Sequence, residues 1–163
     1  MQRHFLGAGA TLALLIAACG GSPATSTGSS SVGGAACVNP AAAHRAYVVV
    51  QHMSGKTVQG CVGFTGATLD AATLMKQSKI EYQAQQSSGV GLGVCQIDNE
   101  PARFSECFPQ GQPYWSLWVE SGGSWTMSQV GFSDVKLHDR EVLGWHYVPL
   151  TGPSPSPPPT PNT

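Results

Sequence analysis

Three of the four tryptophans fall in one segment, "PYWSLWVESGGSWTMSQVG" (Pro113–Gly131). Aromatic rings at this density either fill a core or lie against a flat ligand. In an extended strand alternate residues share a face. Trp115, Leu117 and Val119 then point one way, and Tyr114, Ser116, Trp118 and Glu120 the other. The first set is uniformly apolar and belongs in a core. The second mixes rings with polar groups, as binding surfaces do. Ser121-Gly122-Gly123-Ser124 turns the chain, and Trp125 opens the return strand near Trp118 or Glu120. Tyr114, Trp118 and Trp125 are therefore the candidate ligand-contacting residues. The competing reading is that Trp118 and Trp125 only pair across the hairpin, a contact that contributes about 0.5–1.5 kcal/mol beyond area burial.

Patterns for catalysis are missing from the sequence. It contains no G-x-S-x-G elbow, no H-E-x-x-H and no phosphate-cradling glycine loop. "GVGLGVCQ" (Gly89–Gln96) spaces its glycines closely but leads into a strand rather than a helix, which reads as a turn or bulge. His44, His52, His138 and His146 are scattered and read as surface or structural residues. Asp98 and Glu100, two apart in "QIDNEP", form an acid pair on paper, but the run into Pro101 favours turn chemistry. The chain reads as non-enzymatic, with no cofactor and no metal. Eight Lys plus Arg stand against nine Asp plus Glu, with no basic stripe, so nucleic acid is not an expected partner.

The N-terminus indicates where such a protein works. Arg3 and His4 precede an apolar run, Phe5–Ala18, that ends in small residues before Cys19: the layout of an export signal. At 14 residues the run is short for a bilayer span. "LIAACGGS" resembles a bacterial lipoprotein signal. That resemblance implies a lipidated Cys19 as the mature N-terminus and a cell-membrane anchor facing the extracytoplasmic side. Each buried acyl methylene contributes about 0.8 kcal/mol, so multiple acylation anchors stably. The other cysteines, Cys37, Cys61, Cys95 and Cys107, are even in number in an oxidising compartment, which predicts two disulfides from three pairings. Cys95–Cys107 closes a short loop and is favoured, contributing roughly 3 kcal/mol; Cys37–Cys61 is then left over. No C-x-x-C points to zinc or thiol exchange.

Four segments follow: a signal at 1–18, the lipidated cysteine and a flexible Gly/Ser/Ala linker at 19–43, a domain at 44–150, and a proline-rich disordered tail at 151–163. The tail, "GPSPSPPPTPNT" from Gly152, is expected to be extended and unable to pack. In the domain, Tyr47–Gln51 and Thr57–Phe64 read as a hairpin turning at Ser54-Gly55. The one helix of about ten residues is capped by Thr68, with Asp70 in its first turn and Leu69, Ala72, Leu74 and Met75 on one face. Strands follow at Val90–Ile97, Tyr114–Glu120, Trp125–Val130 and Val142–Val148. This order predicts an α+β fold, a β-grasp-like sheet crossed by one helix.

Taken together, "CVGFTGATLDAATLMKQSKIEY", "GVCQIDNEP" with Cys107, "YWSLWVESGGSWTMSQVG" and "REVLGWHYVPL" resemble the transcobalamin-like C-terminal domain family, over roughly Tyr47–Tyr147. The resemblance implies a β-grasp-type module and a cobalamin-like or other flat organic ligand, shared with a partner protein that completes the site. Arg140 stands where the family's pattern often carries glycine. The leading expectation is a membrane-anchored, non-enzymatic binding module. Two alternatives stand beside it: a protease inhibitor presenting the Cys95–Cys107 loop, and a purely structural envelope protein. If Cys19 carries the anchor, Cys19→Ser releases the protein to the medium or leaves it unprocessed; fractionation of cells expressing the variant reads this directly.

Overall fold

The computed structural model describes residues 36–162 apart from 88, 90, 108 and 109. The signal at 1–18, Cys19 and the linker through residue 35 lie outside the described residues. Nine strands and one helix follow in order: β1 (His44–Gln51), β2 (Thr57–Phe64), β3 (Leu69–Asp70), α1 (Ala71–Ser78), β4 (Tyr82–Ser87), β5 (Gly91–Ile97), β6 (Tyr114–Ser121), β7 (Ser124–Met127), β8 (Lys136–Leu137) and β9 (Val142–Val148). A 3-10 turn at Phe132–Asp134 precedes β8. The main sheet has the order β2-β1-β9-β6-β7. Its central pair, β1 and β9, is parallel, and its other pairs are antiparallel. The pairs β3–β8 and β4–β5 form separate ladders. The fold is α+β, mostly sheet with one helix. Among the described residues no helix is long and apolar enough to cross a membrane.

The core lies on one face of the sheet. Val48, Val50, Leu117, Leu143 and Trp145 pack there with Leu74 and Met75 of α1, Val94 and Ile97 of β5, and Phe132. The lone run Val48-Val49-Val50 is fully buried, so β1 is covered on both faces, as a central strand with a parallel neighbour tends to be. Both disulfides join the expected cysteines, Cys37–Cys61 and Cys95–Cys107, each with Cα atoms 4.4 Å apart.

Several boundaries differ from the sequence expectation. The helix starts at Ala71, because Leu69–Asp70 pairs with Lys136–Leu137 as a strand. Thr68 is therefore no cap, and the Asp70 carboxylate pairs with Lys136 Nζ instead of a helix amide. Strand β4, "YQAQQS", was not expected: its glutamines look like loop, yet Tyr82 and Ala84 alternate onto the core. The domain begins before residue 44. Val38 donates to Cys61 O (2.9 Å) and accepts from Gly63 N (2.7 Å), so this part of the linker is folded onto β2. A Cβ on Gly63 would stand 2.1 Å from Asn39 O, so only glycine admits that approach. Arg140 takes the left-handed conformation (φ 66) that glycine adopts without strain. The turn is held by Arg45 N donating to Asp139 Oδ1 (2.8 Å) and Arg140 N donating to Arg45 O (2.7 Å).

Strand alternation holds in β6. Trp115 and Leu117 belong to the core cluster, and Trp118 lies on the opposite face. Trp115→Ala is expected to cost about 3–5 kcal/mol, enough to abolish a cooperative melt in a marginal domain. Differential scanning calorimetry measures it.

Candidate functional site

The outer face of the sheet carries the three ring residues singled out from sequence. In register across it run Gln59, Val49, Gly144, Trp118 and Met127, from β2 to β7. Trp125 stands opposite Glu120, one row away, so the two indoles are diagonal rather than directly paired. Tyr114 is 40% exposed, but Trp118 is only 8% exposed. The Trp118 indole N–H donates to Ser116 Oγ (3.0 Å), whose hydroxyl donates to His146 O (3.0 Å). Glu120 is also buried and accepts the Gly123 amide of the β6–β7 turn.

This face is not open, which corrects the expectation of a sheet surface presenting Trp118 and Trp125 to a ligand. A Cβ on Gly144 would lie 2.5 Å from Trp125 Cζ3 and 2.8 Å from Pro158 Cγ. The proline-rich tail, expected to be disordered and unable to pack, crosses the face instead. His146 Nδ1 donates to Ser156 O (2.8 Å), and Asn162 N donates to Gln59 Oε1 (3.2 Å). Pro158 and Pro161 are buried. A segment with fixed φ loses little entropy on docking, so prolines that cannot build a core still pack onto one.

A cleft of about 440 Å³ opens at the far end of β6. The Cys95–Cys107 disulfide, Arg103, Phe104, Tyr114, Trp115 and Tyr147 line it. Trp115 and Tyr147 pack at its base with centroids 4.8 Å apart and planes tilted by 42°, and Phe104 is 36% exposed. Burial pushes the Tyr147 phenol above its ordinary value, and the Glu100 charge pushes the same way. Of the three residues singled out, only Tyr114 reaches this cleft. Arg103 and Phe104 were missed. Their signal was weak: one cation and one ring inside a disulfide-closed loop.

Glu100 positions the base of the cleft. Asp98 and Asn99 take positive φ (43 and 63), and Glu100 N donates to Ile97 O (2.8 Å), which makes a tight two-residue turn of the type I′ class. The acid pair thus serves turn chemistry, as its sequence context indicates. The Glu100 carbonyl accepts the Trp115 indole N–H (3.1 Å). Its carboxylate accepts from His52 Nδ1 (2.7 Å) and Met53 N (3.2 Å). A carboxylate only accepts, so Nδ1 carries the proton. His52 Nε2 lies 3.2 Å from Asp98 Oδ2 but off hydrogen-bond geometry, so this is a close approach and not a bond. Lys56 Nζ closes the group on Asp98 (2.8 Å). Among the described residues no Ser, Thr or Cys side chain hydrogen-bonds to His52. Among the same residues no His, Cys, Asp and Glu group is placed to hold a metal ion.

No protein-family model matches the chain, and no curated protein matches it either.

The Lys56 hydrogen bond holds the Asp98 carboxyl below its ordinary 3.8, against the opposing effect of partial burial. A carboxyl with a depressed folded pKa contributes stability that is fully present above its unfolded value and is lost as pH falls through the folded one. The stability difference between the wild type and Asp98→Asn should therefore be constant above about pH 5 and shrink below about pH 4. Partial exposure keeps it small. Urea melts at pH 3, 4 and 6 measure it.

Proposed function

We propose that this protein is an exported, lipid-anchored and non-enzymatic binding module that takes a flat organic ligand in the cleft beside the Cys95–Cys107 loop. The observation that carries this reading is the cleft itself. Its volume of about 440 Å³ is that of a small-molecule pocket, and its lining of Phe104, Tyr114, Trp115 and Tyr147 offers ring faces for a planar molecule. Arg103 and Glu106 supply one charge of each sign at the wall. A cobalamin-like ligand would enter by one edge and leave its other side for a partner protein. The lipoprotein-type N-terminus supports export and a membrane anchor.

The strand order supports a β-grasp assignment. A first hairpin, a helix across one face, and a last strand inserted parallel beside β1 at the centre are the features of that arrangement. They fit the resemblance to transcobalamin-like C-terminal domains. The inhibitor reading has less behind it. Asp98 is tied to Lys56, Glu100 to His52, and the Pro101 carbonyl to Gln96 Nε2 (2.7 Å), so this stretch is pinned to its own domain.

Titration with aquocobalamin and with a porphyrin, read by tryptophan emission, tests the proposal. Saturable quenching is expected. Phe104→Ala and Tyr114→Ala should each weaken binding by at least about five-fold, the usual effect of losing an aromatic anchor. Binding left intact by both variants, or no binding of either compound, counts against the cleft.

A further inference from the structure

We propose that the outer face of the sheet is a polyproline-recognition groove, and that the tail of this chain is its resident, displaceable occupant. The partner is an uncharged proline-rich segment of another protein. This inference concerns a different surface from the cleft and stands or falls separately.

The tail is the template for what the groove accepts. Pro155 is half-buried, and Pro158 and Pro161 are buried, a repeat of three residues. That is the repeat of a polyproline II helix, which has no internal hydrogen bonds and keeps every backbone group free to be read. The groove reads two of them: His146 donates to the Ser156 carbonyl, and Gln59 accepts the Asn162 amide. Between those contacts the floor is Gly144 and Val49, adjacent in register, with Val49 fully buried. Trp125 closes one end above Gly144. Aromatic-walled grooves take proline-rich segments in this way, because such a segment is already in its bound shape. The floor row, Gln59, Val49, Gly144, Trp118 and Met127, has no charged side chain, and neither does Gly152–Thr163. The chemistry matched on both sides is neutral. Gly144 is the position that makes room, since any side chain there would displace Trp125 and Pro158 together.

The tail leaves β9 through Pro149–Gly152, an exposed stretch, so undocking disturbs no strand pairing. A tethered occupant acts at an effective concentration of order millimolar. A competing segment therefore binds the closed chain far more weakly than the opened one.

The experiment uses the full chain and a fluorescent peptide with the sequence of residues 152–163, followed by anisotropy. Pro158→Asp, which sets a charge against the apolar floor, opens the groove. The opened variant is expected to bind the peptide at least ten-fold more tightly than the unaltered chain. A peptide with Asp at the positions of Pro158 and Pro161 should not bind, and adding His146→Ala to the opened variant should weaken binding several-fold. If Pro158→Asp loses its cooperative melt, Pro161→Ser carries the same comparison. A folded, opened variant that does not bind overturns the proposal and makes the tail a permanent strap. Equal binding of the two peptides overturns it as non-specific adhesion. A concentration-dependent dimer of the unaltered chain that is lost in Pro158→Asp overturns the assigned partner, because the occupant is then the tail of a second copy.

Discussion

The parallel pairing of β1 with β9 is the constraint on which the rest of this protein depends. It brings residues some hundred positions apart, Tyr47 and Val142, side by side at the centre of the sheet. A central strand flanked on both sides, carrying three consecutive valines, needs apolar cover above and below. Helix α1, the β4–β5 hairpin and Phe132 supply it on the inner face. Among the described residues no second helix covers the outer face. The chain's proline-rich end does that work, with rings whose φ is already fixed and whose missing amides leave fewer donors to satisfy. One disulfide secures each flank of this arrangement: Cys37–Cys61 at β2, and Cys95–Cys107 at the loop that leads into β6.

A smaller device holds the two halves of the inner layer together. Glu100 is bonded through its amide and carbonyl to Ile97, through the same carbonyl to the Trp115 indole, and through its carboxylate to His52 at the end of β1. These bonds join strands β1, β5 and β6 at one corner, beside the cleft. His52 is buried, so removing the carboxylate would strand a polar ring, and such losses exceed the net worth of the bond itself. The candidate ligand site thus rests on a rigid base of Trp115 and Tyr147, while its mouth is built from the exposed Phe104 and Tyr114.

The two aromatic surfaces differ in what they ask of a partner. The cleft is walled by the disulfide loop and lined by ring side chains. The outer groove runs across strands, is floored by Val49 and Gly144, and holds the proline-rich tail. Strand β6 serves both, since Trp115 faces the first and Trp118 the second.

The sequence alone determined the features that depend on local pattern. Period-two alternation assigned Trp115 inward and Trp118 outward, an even set of four cysteines beyond Cys19 implied two disulfides, and loop length favoured Cys95–Cys107. The hairpin at Ser54-Gly55 and the turn chemistry of Asp98–Glu100 were legible for the same reason. What the sequence left out depends on distant partners. The glutamines of β4 become a strand only because β5 is there to pair with, and Asp70 ends a strand because Lys136 draws its carboxylate. The fate of the outer face was decided in the same way. Three valines in a row already signal cover on both sides, but nothing local says that Pro158, eight strands and a helix later, provides it. Burial is a property of what comes to lie against a residue, and tertiary structure alone decides that.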